Sequence, residues 1–409
     1  MKTINILIVE DKLKEQDEWA TAIRLYNVLA TNKNEKYIYY AEFASTYENA
    51  KTKIGSFNFS LAVIDIRLKK DGEESNDKNT DGNEVVNSIL ANIISLIVIY
   101  TGQIGDVDID DKYSEFIKRI DRDTKTKRDI LSDFTQEHTL LESIINIKSK
   151  FSGSMSELFY ASIWPRWKFW MEAVEATPED NHSALTRHMA THLHASFLNE
   201  VTAVHPEEHY FIPPLRAELD TGDITLVSDK HYILVTPRCE LAQKKNNTFQ
   251  FVELKDISSE LNKLESSINK GQIKLHEMLT KLSEAKKTMI EAKSAEAEKL
   301  VKDAKDEYDA FNKKILSAVS KKSNLFRHGG NKASLHFLPE IKHSNKKNFG
   351  PFHAQFDHLV FIPKSDKAQL SLYINGKYAS LSNEFVPSLV ERLGAYFSRI
   401  GTPDYSHPE

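Results

Sequence analysis

Cysteine is almost missing from this chain, with Cys239 the single one among 409 residues. That excludes an intramolecular disulfide and a thiolate-rich zinc site, and it fits a reducing compartment. Long apolar runs are missing too: none approaches the roughly 20 residues needed to cross a bilayer. Met1-Lys2-Thr3-Ile4-Asn5 leads into a β-branched run instead of a signal-peptide core. A cytoplasmic protein without membrane contact is expected. Nor is there an excess of positive charge, since 54 Lys and Arg stand against 59 Asp and Glu for a formal net charge of −5. No global basic field is present to hold nucleic acid, and no basic recognition helix or winged-helix pattern follows, so specific nucleic-acid binding is not expected. What is present is the composition of a folded chain, 40% hydrophobic and 28% charged. Its length exceeds one ordinary core. Three units are expected: an α/β unit over 1–150, a helical connector over 151–215 and a β unit over 216–409.

In the first unit, residues 4–9 form a short β-branched run ending in Glu10-Asp11, followed by a helical pattern over 14–29. Leu61-Ala62-Val63-Ile64-Asp65 repeats the run, as do residues 93–100 before Thr101-Gly102, with weaker strands at 37–41 and 115–120. Continuous apolar runs of this kind read as strands buried on both faces of a parallel sheet. In such open sheets the ligand site lies outside the carboxyl ends of the strands, where Glu10, Asp11, Asp65 and Thr101 all fall. Mg2+ favours hard oxygen ligands and keeps several waters, so two or three carboxylates plus a phosphoryl oxygen suit it. Asp65 is then the candidate nucleophile, Asp11 and Glu10 the metal carriers, and Thr101 a hydrogen-bond donor to the phosphoryl group.

The stretch resembles the receiver domain of two-component response regulators. The resemblance rests on Ile6-Leu7-Ile8-Val9-Glu10-Asp11, Val63-Ile64-Asp65-Ile66-Arg67-Leu68, Asp81-Gly82 and Ile99-Tyr100-Thr101. It implies a flavodoxin-like doubly wound fold, a phospho-acceptor at Asp65, and Mg2+ held by Glu10, Asp11 and Asp65. It also implies phosphoryl contacts from Thr101 and a basic residue, and a histidine kinase or other phosphodonor as partner. The family places a lysine after its fifth strand; here the spacing falls on Arg122, with Lys118 and Lys125 as alternatives. Arginine is a differently shaped donor from lysine. Residues 69–80 are a polar insertion where the family has a short loop, and would overhang the site.

Residues 156–199 read as helices carrying Trp164, Trp167 and Trp170 at i, i+3, i+6. Packing against a neighbouring domain is expected of them, not a base-stacking platform. His188 and His192 share a helix face, with His182, His194, His205 and His209 nearby, but no further ligand completes a familiar metal site. Solvated or hydrogen-bonded histidines are expected.

From Gly222 short strands alternate, at 223–227, 231–236 and 249–254, and they resume after Gly329-Gly330 at 335–338, 358–362 and 370–374, with Asn375-Gly376 as a hairpin turn. A small barrel or sandwich is expected. Between them the series Ile257, Leu261, Leu264, Ile268, Leu275, Met278, Leu282, Ala285, Met289 keeps a heptad, and a second series from Ala297 to Ala318 runs out of phase with it. The chain must return to the β unit, so residues 256–322 are expected as an antiparallel helical coiled-coil hairpin turning near Ser294, serving a protein partner or a homodimer. Cys239, beside Arg238 and Glu240, is the candidate nucleophile of an effector site if His328, His336 or His353 approaches it. The β unit is distantly similar to uncharacterised C-terminal modules of bacterial conflict proteins, on Cys239-Glu240-Leu241 and Arg399-Ile400-Gly401.

The expected function is phosphorylation-regulated signalling, with the receiver controlling a C-terminal interaction or effector module, phage defence being one setting. The alternatives are an effector enzyme with chemistry near Cys239 and a non-phosphorylated receiver-like adaptor. The leaning is to a regulatory phospho-acceptor over a metabolic enzyme.

Overall fold

The computed structural model describes residues 1–69, 79–113, 116–171, 177–198, 204–327, 333–342 and 348–398. The chain divides into two compact units, Met1–Glu200 and Val201–Glu409. Within the inserted loop at 69–80, residues 70–78 lie outside the described residues, as do His328, Gly329-Gly330 and Arg399-Ile400-Gly401. No described helix is long and apolar enough to cross a membrane.

The first unit runs β1 (Lys2–Val9), α1 (Leu13–Asn32), β2 (Tyr37–Ala44), α2 (Tyr47–Ser56), β3 (Leu61–Ile64), α3 (Asp81–Asn92), β4 (Leu96–Thr101), β5 (Ile117–Asp121), α4 (Lys127–Gln136), α5 (His138–Leu158), α6 (Trp167–Met171) and α7 (Pro178–Leu198). The strands pair in parallel in the order β2-β1-β3-β4-β5. This is the flavodoxin-like order, with the crossover beside β1 that leaves a crevice at the strand ends. Every residue of β3 and β4 is buried, because each face of the sheet has its own core: Ile8, Trp19, Val63, Val98 and Phe134 on one side, Val9, Ile64, Val86 and Ile99 on the other. Between β4 and β5 the described residues hold only two 3-10 turns, Ile104–Asp106 and Asp111–Tyr113.

The outer edge of β2 carries an uncommon cap. Asn27 of α1 accepts from the Tyr39 N–H at 2.9 Å and donates to the Tyr39 carbonyl at 2.8 Å, as a neighbouring strand would. α5 is anchored to the unit along its length: its His138 ring meets the Tyr39 hydroxyl, Glu142 pairs with Lys36, and the Lys148 ammonium donates to the carbonyls of Phe59 and Ile94. The boundary expected at 150 therefore falls inside a helix. The tryptophans do not share one regular helix face. A π-helical turn (Phe159–Ile163) and a 3-10 turn (Trp164–Arg166) that contains Pro165 change the register, leaving Trp164 58% exposed and Trp170 against His188. Pro165 has no N–H with which to carry the helical ladder on past the π turn. The His188 and His192 rings meet tilted at 48°, with centroids 4.3 Å apart.

The second unit runs β6 (Tyr210–Phe211), β7 (Asp223–Val227), β8 (Lys230–Leu234), α8 (Arg238–Ala242), β9 (Thr248–Asp256), α9 (Ser258–Ala292), α10 (Ala295–Phe326), β10 (Leu335–Leu338), β11 (Phe352–Pro363), α11 (Lys367–Asn375), β12 (Lys377–Leu381) and α12 (Val386–Phe397). Its described strands form one curled antiparallel sheet in the order β10-β11-β9-β8-β7-β12-β6, with no second layer of strands, so the sandwich alternative does not describe it. The Tyr210 hydroxyl donates to the Pro339 carbonyl at 2.8 Å, which draws the margin at β6 toward the end of β10. The expected strand at 370–374 with its Asn375-Gly376 turn is corrected: it is helix α11. Asp366 accepts from the Gln369 N–H as N-cap, and Leu370, Tyr373 and Ile374 follow the helical period. α9 and α10 pack against each other in opposite directions, with Glu265 paired to Lys322 and Lys274 over the Phe311 ring. The turn between them holds Lys293 at φ 45°, and Ser294 caps the Ala297 N–H.

Candidate functional site

The carboxyl margin of the parallel sheet is built by ladder bonds that continue past the strands. Glu10 N–H donates to the Ala44 carbonyl, Asp65 N–H to the Val9 carbonyl, and Arg122 N–H to the Thr101 carbonyl. These bonds fix Glu10 and Asp11 after β1, Asp65 after β3, Thr101 at the end of β4 and Arg122 after β5 around one crevice. Gly82, in the first turn of α3, lets that helix close over the crevice wall. A Cβ there would lie 2.2 Å from the Asp65 carbonyl oxygen and 2.5 Å from the Ile66 Cα.

Glu10, Asp11, Asp65 and Thr101 are all buried. Arg122 reaches in from the rim, forms an ion pair with Glu10, and places the same terminal nitrogen 2.9 Å from Asp65. Its Nε faces the Tyr100 carbonyl and its guanidinium lies over the Tyr100 ring. The Thr101 hydroxyl and the Ile66 N–H act on the Asp65 carboxylate to favour its charged form. Burial raises the Asp65 pKa, with Arg122 and Thr101 opposing it. Burial likewise pushes Glu10 up to about 7 against the pull of Arg122. The carboxylates of Asp65, Glu10 and Glu15 hold the Arg122 pKa above its usual value, although burial acts the other way.

One oxygen from each of Glu10, Asp11 and Asp65 lies within 4.8 Å of the others. Asp11 Oδ1 and Asp65 Oδ1 are buried without a hydrogen-bond partner. A buried carboxylate oxygen left bare is costly unless something completes it. Three hard oxygen donors converging in this way suit Mg2+, which binds through a few carboxylates and keeps other positions for water or phosphate.

The structure thus brings together all five residues expected here: Glu10, Asp11, Asp65, Thr101 and Arg122. The two alternative cations point elsewhere, Lys118 to Glu137 and Lys125 to Asp133. Cys239 is exposed on α8. His336 and His353 are buried on β10 and β11, beyond β9 as seen from β8, and His353 Nε2 faces the Leu325 carbonyl. Neither is brought to the cysteine. Two charged residues that the sequence reading passed over, Glu15 and Lys127, stand behind Arg122: Glu15 lies 3.9 Å from it, and Lys127 binds Glu15 at 2.5 Å. Their place in the first turns of α1 and α4 is the sole sequence signal, and surface helices carry many such charges.

No protein-family model matches the chain. No curated protein matches it either. Among solved structures it is similar to a CheY-like response regulator receiver domain protein from Methanospirillum hungatei JF-1, at 18% identity over 35% of this chain and 98% of that one, TM-score 0.25. It is similar to a CheY-like receiver domain from Methylobacillus flagellatus, at 16% identity over 33% of this chain and 98% of that one, TM-score 0.23. A third is a response regulator protein from Thermotoga maritima in complex with Mg2+ and BeF, at 18% identity over 33% of this chain and 97% of that one, TM-score 0.21. The parallel sheet of the first unit, read from its own strand order, has the flavodoxin-like topology.

Proposed function

We propose that the first unit is a receiver that accepts a phosphoryl group on Asp65 and so regulates the second unit in a cytoplasmic two-component-type pathway. The observation that carries this reading is the bare, buried Oδ1 of Asp65 beside that of Asp11, with the Arg122 cation 2.9 Å from the other Asp65 oxygen. An Asp65 oxygen bonds to the phosphorus of the donor, a phosphohistidine or a small acyl phosphate, and the bond from phosphorus to the leaving group breaks. The leaving group departs with that electron pair, and an aspartyl phosphate remains. Arg122 and Thr101 are placed to hold the phosphoryl oxygens by charge-assisted hydrogen bonds. Glu10, Asp11 and Asp65 would hold Mg2+, which when bound supplies neutralisation of the charge gathering on those oxygens.

The modification adds about −1.5 to −2 charges and three acceptor oxygens to a crevice already crowded with carboxylates. Arg122 must then redistribute its bonds among Asp65, Glu10 and the new oxygens, and this is the event available for transmission. The output is assigned to a protein partner at the α9–α10 pair, which exposes Ile273, Ile290, Leu300 and Leu316. A homodimer and a role in phage defence are settings of the same reading. Arg122 also favours a second one: by binding Glu10 and Asp65 together, it can hold a permanently silent adaptor.

Intact-mass measurement after acetyl phosphate and Mg2+, with wild type and Asp65→Asn, separates them. One added phosphoryl group on wild type alone supports the switch. An unmodified wild type that also fails to bind beryllium fluoride with Mg2+ establishes the silent adaptor.

A further inference from the structure

Behind the crevice the charges alternate along one line. Asp65 and Glu10 face Arg122, Arg122 Nη1 lies 3.9 Å from Glu15, Glu15 lies 2.5 Å from Lys127, and Lys127 lies 2.7 Å from Glu18. Lys127 is well enclosed, its side chain 10% exposed and its ammonium over the Trp19 ring, while the Glu15 side chain is 23% exposed. The two contacts of Glu15 are unequal. Its bond to Lys127 has hydrogen-bond length, whereas Arg122 stands at the limit of an ion pair.

That inequality has a physical meaning. Arg122 is offered two anionic destinations, the buried pair Glu10 and Asp65 inside and Glu15 outside. A guanidinium goes where uncompensated negative charge is greatest. Lys127 holds the same Glu15 oxygen, Oε2, at much closer range and so weakens the outward pull on Arg122.

We infer that Lys127 is a positioning residue: by occupying Glu15 it keeps the Arg122 guanidinium on Asp65, where the phosphoryl group arrives. The functional meaning of this inference rests on the phosphoryl-acceptor reading; its geometric content does not. Without Lys127, Glu15 draws Arg122 outward and the acceptor loses its cation. Removing the Glu15 charge as well removes the competitor, and Arg122 returns. A role confined to packing would not be repaired in this way.

The test uses the full chain in four forms: wild type, Lys127→Met, Lys127→Arg, and Lys127→Met combined with Glu15→Gln. Two readouts are taken, the rate of Asp65 phosphorylation by acetyl phosphate with Mg2+, and the Nε–Hε resonance of Arg122 in the unphosphorylated protein. Lys127→Met is expected to slow phosphorylation by about tenfold or more, as misplacement of a contacting group does, and to shift or broaden the Arg122 resonance. Lys127→Arg and the double variant are expected to restore both. An unmoved Arg122 resonance in Lys127→Met overturns the inference, as does a double variant no better than the single one. If no form takes phosphate yet the resonance moves and is restored, the positioning role stands and the phosphoryl-acceptor reading falls.

Discussion

Asn27 closes the open edge of β2 by pairing with both backbone groups of Tyr39, at 2.9 and 2.8 Å. An unpaired edge invites another strand, and proteins blunt theirs with charges, bulges or covers; here a single side-chain amide does so. Asn27→Ala is expected to cost about 1–3 kcal/mol, two hydrogen bonds of ordinary worth, and to expose the edge for association. Urea unfolding and light scattering over a range of concentrations read the two effects. A variant as stable and as monodisperse as wild type would show that solvent satisfies Tyr39 equally well.

Gly82 is required where α3 meets the end of β3, since the clashing atoms are backbone, including the Asp65 carbonyl oxygen at 2.2 Å. Gly82→Ala must push α3 away from the crevice. A loss of about 1–3 kcal/mol, the usual range for overpacking, is expected together with weaker Mg2+ binding, followed by unfolding and by NMR titration with Mg2+. Retention of wild-type stability would mean that α3 shifts freely.

Lys148 contributes a pH dependence of definite sign. Burial lowers its pKa from 10.5 to about 8 while it donates to the Phe59 and Ile94 carbonyls at 2.5 and 3.0 Å. Between those two values the unfolded chain binds more protons than the folded one, so this group makes stability rise with pH across that window; below about 8 its charged form opposes folding in full. The stability difference between wild type and Lys148→Met is expected to move in favour of wild type as pH rises from about 8 to 10.5. Unfolding curves that run in parallel through this range would show the lysine to be fully solvated. Because the side chain is only half-buried, the movement is modest.

Gly271 lies in the seam of the α9–α10 pair, where an added Cβ would stand 2.0 Å from Ile315 Cδ1. The obstacle is the end of a flexible side chain. Gly271→Ala alone sets a helix-propensity gain of about 1 kcal/mol against displacement of that methyl. In an Ile315→Val background that methyl is gone and only Cγ1, 3.0 Å from the added Cβ, has to give, so Gly271→Ala is expected to stabilise by at most about 1 kcal/mol, measured by thermal unfolding of the four-member cycle. A destabilising effect in that background would show that the remaining Cγ1 contact does not give.

Much of the crevice was legible because its residues sit on strands whose pattern has one reading. Leu61-Ala62-Val63-Ile64 is apolar at every position and is buried at every position, so Asp65 had to fall at a strand end. Arg122 followed from spacing after β5. Residues 370–374 were not legible as a strand or a helix from apolar spacing alone, since Leu370, Leu372 and Ile374 alternate while Leu370, Tyr373 and Ile374 follow a helical turn; the Asp366 cap decides. The i, i+3, i+6 spacing of the three tryptophans does not translate into one face, because a π turn and the 3-10 turn at Pro165 shift the register. Glu15 and Lys127 carried no distinguishing signal, as their meaning arises only when α1 and α4 meet.

The choice of arginine beside Asp65 reaches beyond shape. A guanidinium carries no amine for an acetyl group to cap and does not shed its proton in any cellular acidity. Acetyl donors, which neutralise lysines, therefore leave the cation of this crevice untouched while Lys118 and Lys125 on the same unit stay open to them.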